Sequence, residues 1–499
     1  MQKKLLFGLV SILFVVVTAW LYAPRPRAEH KPVVAHSSVF SQSEFYDDAY
    51  VSARSVQRVS DARGVLINHH LLAAPFIAAA LDSVATTKPV TVVLVSPNHF
   101  STGQGNLLTS EAVWETPYGF IEPAAGSIQA LVEAGLARIE ETPFAHEHGV
   151  TGVVAFIKKS LPNAKLVPLI VNDRLPLSKA MEVAERMQAI LPQDVLVVGS
   201  FDFSHYLPSR AARFHDELSL SAVRGYDYAA IARLDVDSRP GLALFLRMME
   251  TRSGSRFTLL GHANSAELTR VPDVLETTSY ITGYFAPAES PIPAVSPVDT
   301  SLLLGRIEES PEVLAGLEVR STHYAIEYLQ RLLTGQQRTV AALSGLFTHQ
   351  NRLVRLGLTD FVEQEQTFTV GSGTVTYMVA DNPIRARQLI DRGSNIVCIA
   401  SDDVRVEEYN GGVIVRGLGN FLTQAVLAQH RHVTLAVGVA AQAQEVRVYL
   451  FPVEYREGKG KLLTGTADDT LLATMAAQSA VSTMLKEQIK TGVLNIKIR

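Results

Sequence analysis

Short apolar runs alternate with longer amphipathic stretches through the first half of the chain. The runs rich in Val, Ile and Leu predict buried strands, and they cover residues 64–70, 91–99, 165–171, 194–205 and 279–285. The stretches between them have a helical pattern, and they cover residues 72–84, 124–137, 149–161 and 177–191. This alternation predicts a doubly wound α/β domain built on a mostly parallel sheet.

Histidines stand at the ends of three of these strand-like runs. His69 and His70 close the first run, His99 closes the second, and His205 closes the run over 194–205. Ligands of such sheets bind in the crevice beyond the carboxyl ends of the strands, so we expect these imidazoles to converge. Imidazole is the commonest protein ligand for zinc, iron, copper and nickel. The alternative is that each is an ordinary histidine at the start of a loop.

Carboxylates accompany the histidines at useful spacings. Glu147 and His148 lie just before a predicted helix, and Asp202 lies three residues before His205. Carboxylates near a metal orient the imidazoles, complete the ligand set or move protons. For Glu147 the simpler alternative is a helix cap, because negative charge is favourable at a helix N-terminus.

Composition narrows the classes of function. The chain has 499 residues, of which 47% are hydrophobic and 19% charged, so it can bury a large core and form more than one domain. The formal net charge of -4 gives no electrostatic case for nucleic-acid binding. Cys398 is the only cysteine, which excludes an intrachain disulfide and a cysteine-based zinc site.

The N-terminus predicts a membrane localisation. Lys3 and Lys4 precede an uncharged stretch over residues 5–23, which is just long enough to span a bilayer core. We expect a single-pass signal anchor with the bulk of the chain extracytoplasmic. A cleaved signal peptide is the alternative interpretation.

Shifts in composition divide the chain into six predicted segments. Four prolines between residues 286 and 297 indicate a stiff linker after the first domain. The segments are an anchor (1–23), a stalk and entry segment (24–60), a metal-binding domain (61–286), the proline-rich linker (287–297), a second domain (298–455) and a C-terminal tail with a helix (456–499).

The motifs of the first domain, taken in order, resemble the Memo family, whose bacterial and archaeal members are called AmmeMemoRadiSam system protein B. The motifs are His69, Pro97-Asn-His99, Trp114-Glu-Thr-Pro-Tyr-Gly119, Glu147-His148, Gly199-Ser-Phe-Asp-Phe-Ser-His-Tyr206 and Tyr280-Ile-Thr-Gly-Tyr284. The resemblance implies a fold similar to the class III extradiol dioxygenases, with iron or copper in the crevice.

Carried over by position, the resemblance implies the roles of the site residues. His69 and His99 would be metal ligands, Asp202 and His205 would lie beside the metal, and Glu147 and His148 would line the same pocket. Combining this with the strand-end pattern, we predict the following set: metal ligands His69, His99 and His205, and catalytic groups His148, Asp202 and Glu147. The expected cofactor is a divalent metal, with iron first and copper or zinc as alternatives.

Two departures from the family pattern affect this set. The family often places a further metal-contacting cysteine after the late helices, whereas the matching segment here, Leu259–Ala263, has none. The first motif reads Asn68-His-His in place of the usual Pro-His, which leaves His70 as an alternative to His69.

The second half resembles CapA-type proteins, which are linked to poly-γ-glutamate or capsule synthesis. The resemblance rests on Asp299–Arg306 and Glu408–Phe421. It implies an α+β domain like a truncated calcineurin-like metallophosphatase sandwich. The histidine-rich metal motif of that family is replaced by Ser401-Asp-Asp-Val404, so we expect a degenerate and catalytically inactive domain.

These observations predict a membrane-anchored, Memo-like metal-binding protein with non-haem iron or copper redox chemistry in the first-domain crevice. One alternative is a non-catalytic envelope scaffold linked to cell-surface polymer synthesis, and another is a metal-dependent hydrolase. The expected partners are the membrane and a small-molecule or polymer substrate, with no nucleic acid; the sequence leaves the oligomeric state open.

Overall fold

A mixed sheet organises the first half of the chain in the computed structural model, which describes residues 34–251, 255–271, 274–287, 298–307, 338–343, 360–362, 365–422, 431–456 and 459–498. Its strands are β1 (Ala35–Ser37), β2 (Gly64–Ile67), β3 (Val90–Pro97), β4 (Leu107–Thr109), β5 (Val113–Thr116), β6 (Gly119–Pro123), β7 (Arg138–Ile139), β8 (Ala164–Val171), β9 (Leu196–Ser200), β10 (Phe203–Leu207), β11 (Ser255–Asn264) and β12 (Thr277–Pro287). The helices of this half are α1 (Glu44–Ser52), α2 (Ala74–Asp82), α3 (Ala125–Glu133), α4 (His148–Thr151), α5 (Val154–Ser160), α6 (Leu177–Ile190), α7 (Ser209–Gly225), α8 (Tyr228–Ile231), α9 (Arg239–Glu250) and α10 (Ser265–Thr269).

Four parallel strands form the centre of this sheet. They lie in the order β8-β3-β9-β2, and β12 then pairs antiparallel with β2. Successive residues of β3 enter different cores: Val93 and Val95 pack in one, Val92 and Leu94 in the other. A strand buried on both faces has the continuous apolar sequence on which the prediction depended. The predicted α/β class with a mostly parallel sheet is confirmed.

The observed elements differ from the predicted ones at three places. The stretch 149–161 forms two helices, α4 and α5, with Gly152 between them. The run 194–205 forms β9 and most of β10, separated by Phe201 and Asp202. The run 279–285 is the middle of β12, which is antiparallel to its neighbours β2, β10 and β11.

The second half contributes two further sheets. Its strands are β13 (Asp299–Ile307), β14 (Arg338–Leu343), β15 (Asp360–Val362), β16 (Gln366–Val370), β17 (Gly373–Met378), β18 (Ile396–Ile399), β19 (Arg405–Tyr409), β20 (Gly412–Arg416), β21 (Asn420–Leu422), β22 (Arg431–Gln442), β23 (Glu445–Arg456), β24 (Lys459–Leu462) and β25 (Val493–Lys497). The helices are α11 (Pro383–Asp391), α12 (Gly465–Gln478) and α13 (Thr483–Thr491). One sheet has the order β15-β14-β13-β22-β23-β24, with β21 beside β13 and β25 beside β23, and the other has the order β16-β17-β18-β20-β19.

One apolar core joins these two sheets. It contains Val437 and Val448 from the first sheet and Val375 and Val413 from the second, together with Leu472 of α12. The long strands β22 and β23 pair antiparallel along their whole length, from Arg431 opposite Arg456 to Gln442 opposite Glu445. The C-terminal tail, predicted to contain a helix, contains two helices, α12 and α13.

The predicted membrane localisation is corrected by the structure. Among the described residues, none of the helices combines the length and the apolar character that crossing a bilayer demands. The segment predicted as an anchor, residues 1–23, lies outside the described residues. The prediction of a single-pass membrane protein with an extracytoplasmic bulk is therefore wrong for the chain as the structure describes it.

The start of the described chain belongs to the first sheet. In the segment predicted as a stalk, β1 pairs in parallel with β5, with Ala35 opposite Val113, and α1 buries Tyr46 and Ala49. Residues 288–297 of the predicted linker lie outside the described residues, so the domain boundaries stay a prediction.

Candidate metal centre

Three neighbouring strands deliver side chains to one edge of the sheet. His69 follows β2, His99 follows β3, and Asp202 follows β9, whose neighbours in the sheet are β3 and β2. Because these strands are parallel, their carboxyl ends lie together, and the side chains that follow them meet in one crevice.

Glu147 fixes the orientation of His99. Its fully buried carboxylate accepts hydrogen bonds from the backbone N–H of His99 (2.9 Å), from His99 Nδ1 (2.6 Å) and from the backbone N–H of Gly149 (3.0 Å). Burial alone would raise the pKa of Glu147, but these hydrogen bonds and the charge of His99 lower it below its usual value. An ionised Glu147 accepts a hydrogen bond from Nδ1–H of His99, and in the neutral ring with that tautomer Nε2 presents a lone pair to the crevice.

Ser200 has the same effect on His69. The Ser200 hydroxyl donates to the carbonyl oxygen of Gly149 (2.9 Å) and lies 3.1 Å from His69 Nδ1. The Ser200 hydroxyl has one proton, and it donates that proton to Gly149. It therefore accepts a hydrogen bond from His69 Nδ1–H, and Nε2 of His69 carries the lone pair. Burial, followed by the nearby His99, holds the pKa of His69 well below its usual value. His69 is therefore a neutral imidazole, the form that binds metals.

Asp237 is the site residue that the sequence did not reveal. Its Oδ2 lies 3.3 Å from His69 Nε2 and 3.8 Å from His99 Nε2. The same oxygen accepts the backbone N–H of Asp202 (2.8 Å), whose own Oδ2 is 3.5 Å from His69 Nε2. Asp237 comes in a turn before α9, where Ser238 is the N-cap. The Asp235-Val-Asp237 sequence is a weak signal, because acidic residues before a helix are common caps.

Two buried carboxylates, Asp202 and Asp237, lie in the crevice with too little positive charge beside them to balance both. Asp237 Oδ1 is buried and finds no hydrogen-bond partner within the described ranges. Burial, and then the charge of Asp202, raises the pKa of Asp237 well above its usual value. Burial likewise raises the pKa of Asp202, while the positive charge of His205 lowers it. A divalent cation would compensate both carboxylates, so the residues present suit a metal.

The remaining predicted residues occupy different positions. His148 is half-exposed and stacks on His99 with ring centroids 3.9 Å apart. His205 lies on the irregular strand β10, where its backbone N–H donates to Asp235 Oδ2 (3.0 Å). His70 is exposed and lies 2.7 Å from the Tyr280 hydroxyl.

Two overlapping groups of side chains have the spacing of metal ligands. One consists of His69, His99 and His148, the other of His69, Asp202 and Asp237, and within each group the ligand atoms lie within 4.8 Å of one another. His205 belongs to neither group, and its role as a ligand stays a prediction.

No thiolate supplements these groups. Cys398 is fully buried on β18 in the second half, and burial raises the pKa of its thiol to about 12. The place where the resemblance implied a family cysteine is occupied here by β11, on which His262 bonds to Asp216 (2.8 Å). Any metal in the crevice therefore has nitrogen and oxygen ligands.

Comparison with known proteins supports the family resemblance of the first half. The family described as Memo-like protein matches residues 46–283. A MEMO1 family protein of Pyrobaculum arsenaticum is 29% identical over 206 residues, which are 39% of this chain and 71% of the relative. One from Methanothermobacter thermautotrophicus is 28% identical over 35% of this chain and 66% of the relative. One from Caldivirga maquilingensis is 24% identical over 50% of this chain and 96% of the relative.

Solved structures give only weak matches. An uncharacterized protein of Escherichia coli matches with a TM-score of 0.29 and 12% identity, over 44% of this chain and 98% of its own. Vps29 of Chaetomium thermophilum matches with a TM-score of 0.24 and 13% identity, over 33% of this chain and 95% of its own. Scores this low carry no argument, and the CapA-like resemblance of the second half stays a prediction. The sequence comparisons agree with the order of the motifs, and they show the Memo-like family over residues 46–283, the first half of the chain.

Proposed function

We propose that the protein binds a divalent transition metal in the crevice of its Memo-like domain and uses it for redox chemistry. Iron is the first candidate for this chemistry and copper the alternative; zinc could occupy the same ligands but is redox-inert. The observation that carries the proposal is the approach of two imidazole nitrogens, His69 Nε2 and His99 Nε2, to one carboxylate oxygen, Asp237 Oδ2, at 3.3 and 3.8 Å. Two histidines and one carboxylate with open positions form the ligand pattern of non-haem iron oxygenases.

The other side chains of the crevice would support this ligand set. Glu147 orients His99, and Asp202 accepts the backbone N–H of His69 (3.2 Å). When bound, an iron or copper ion supplies one-electron chemistry and polarises a substrate oxygen. His148, whose pKa is lowered by burial and by the charge of His99, is neutral near pH 7 and can take a proton at the solvent side.

The geometry favours a working metal site over a relic scaffold. A relic would allow the ligand nitrogens to spread well beyond the distances that one ion can bridge. Here the ring nitrogens of His69, His99 and His148 lie within 4.8 Å of one another.

Metal content tests the proposal directly. We would purify the full chain without chelators and measure iron, copper and zinc in the parent protein, His99→Ala and Asp237→Asn. The proposal expects about one ion per chain in the parent and a loss of about tenfold or more in each variant. His70→Ala is the matched control, since His70 lies next to His69 but bonds to Tyr280. It should retain the metal.

Two outcomes would change the assignment. Metal retained by Asp237→Asn but lost from His205→Ala would restore His205 as the third ligand in place of Asp237. No metal in the parent protein, even after anaerobic reconstitution with Fe(II), would overturn the proposed function.

A further inference from the structure

Helix α7 connects the two halves of the chain. It starts directly after β10, and its side chains reach strands and helices of the second half. Arg210 donates to both carboxylate oxygens of Asp468 at 3.2 and 2.5 Å, and the ring of Phe214 packs against Tyr449 with centroids 5.2 Å apart. One turn further on, buried Glu217 accepts hydrogen bonds from Arg447 and Tyr449, both at 2.5 Å.

A large cavity lies beside this contact, with a volume of about 1200 Å³. Both halves line it: Arg213, His262 and Arg270 face it from the first half, and Arg447, Tyr449 and Phe451 from the second. It is separate from the metal crevice, whose ligand candidates do not line it.

A fixed histidine forms part of the cavity wall. His262 Nε2 is 2.8 Å from Asp216 Oδ2, and the other oxygen of this fully buried carboxylate accepts the Ser204 hydroxyl at 2.6 Å. Burial lowers the pKa of His262, but the hydrogen bond to Asp216 and its charge outweigh burial, and the net shift is upward. With Nε2 engaged, Nδ1 is the nitrogen left for a ligand, and it donates when the ring is protonated.

The arginines of the cavity wall have N–H donors that remain available to a ligand. Arg213 bonds to Glu267 through Nε, and Arg447 bonds to Glu217 through one terminal nitrogen. Within the described part of the chain, the side chain of Arg270 makes no hydrogen bond. A guanidinium carries five N–H donors in a planar fork that matches carboxylate and phosphate oxygens.

Most of the carboxylates that line the cavity are already paired with a cation. Glu217, Glu267 and Asp468 each pair with an arginine of the same cavity, and Glu487 pairs with Lys490. Asp469 of α12 also lines the cavity, and His262 pairs with the buried Asp216. Arg270, on the first-half side, has no carboxylate partner among the described residues, so it is the guanidinium left for an oxyanion. The apolar rest of the wall includes Phe451 and Leu462.

We propose that this cavity is a binding site for an organic oxyanion, a molecule with a carboxylate or phosphate group and an apolar body. The oxyanion would lie against His262, Arg213 and Arg270, and the apolar body against Tyr449 and Phe451. The site requires both halves of the chain, and it is independent of the proposed metal centre.

Calorimetric titration of the full chain tests the proposal. Phenyl phosphate and benzoate, at fixed ionic strength, distinguish the two oxyanion sources, and benzyl alcohol tests the apolar body alone. We expect saturable binding of at least one oxyanion and none of the alcohol. His262→Gln and Arg270→Asn should each weaken it about tenfold, the loss of one charge-assisted hydrogen bond. Asparagine suits position 270, where φ is +57°.

Two controls keep the result specific. Arg256→Gln removes an exposed arginine from the same strand as His262 but outside the cavity, and it should bind as the parent does. His99→Ala should also bind as the parent does. The proposal would be overturned if neither phenyl phosphate nor benzoate showed saturable binding. So would binding that survives His262→Gln and Arg270→Asn but is lost in His99→Ala, since it would place the anion in the metal crevice.

Discussion

The side chains of the crevice are arranged for a cation at the expense of stability in its absence. Asp202 and Asp237 are both buried, and the backbone N–H of Asp202 donates to Asp237 Oδ2 at 2.8 Å. The repulsion between two carboxylates in a site of low dielectric disfavours ionising both. A proton or a metal ion relieves it, and because the pKa of Asp237 is raised, this carboxyl holds its proton to higher pH than an exposed one does.

Replacing Asp237 by Asn should therefore stabilise the metal-free protein while removing its metal site. The pKa of Asp237 is raised in the folded state, so its contribution to stability is complete below the unfolded value of about 3.9 and is lost as pH rises through the folded pKa. We expect Asp237→Asn to gain about 1 kcal/mol at about pH 8 and little at about pH 5. Thermal unfolding of chelator-treated, dialysed protein measures this. Asp194→Asn, at an exposed carboxylate, should change neither value, and a less stable Asp237→Asn at the higher pH would contradict the argument.

Residues that directly follow a strand were predictable, and those that reach the site through a turn were not. His69 and His99 sit at strand ends, which the apolar pattern locates. Asp237 lies in a turn that is held near the crevice by an isolated β-bridge between Phe203 and Val236. This bridge joins parts of the chain that are distant in sequence, so no local pattern predicts it. His205 follows backbone irregularities that no pattern shows, with φ of +33° at Ser204.

Around the crevice, the sequence predicted that a helix is present but not where it begins and ends. The helical pattern over 149–161 is continuous in apolar residues, but the chain breaks at Gly152 between α4 and α5. Helix α4 is only four residues long, and it begins at His148 directly after the Glu147 cap. A short helix of this kind is held by tertiary contacts rather than by its own propensity.

Gly149, the second residue of α4, should be intolerant of substitution. A Cβ at this position would lie 2.1 Å from Ser96 Oγ and 3.4 Å from His69 Nδ1, both of buried residues. We expect Gly149→Ala to cost about 1–3 kcal/mol in denaturant unfolding and to lower metal content. Gly126→Ala is the matched control, because its Cβ would meet nothing within 4 Å inside α3. It should gain about 0.5–1 kcal/mol. Equal effects of the two substitutions would mean that the crevice can adapt.

At the scale of the whole molecule, a polar contact joins the two halves of the chain. Glu217 of α7 has a side chain only 7% exposed, and its charge is balanced by Arg447 of β23. Burial raises the pKa of Glu217 above its usual value, while the charge of Arg447 lowers it. A buried ion pair adds little net stability, but the loss of one partner leaves the other charge uncompensated.

Removing Arg447 should therefore destabilise the chain in a pH-dependent way. Without Arg447 the folded pKa of Glu217 rises further, so stability is lost as pH rises through that pKa. We expect Arg447→Met to cost about 2 kcal/mol near pH 7, at the lower end for buried pairs because Arg447 is 33% exposed, and less near pH 5. The double variant with Glu217→Gln should recover most of this loss and its pH dependence, since Tyr449 can still donate to the amide oxygen. Lys490→Met, which breaks an exposed pair with Glu487, should change stability by about 0.5 kcal/mol or less. An equal loss at both pH values would show that Glu217 stays ionised, and that packing around Phe214, rather than this charge pair, holds the halves together.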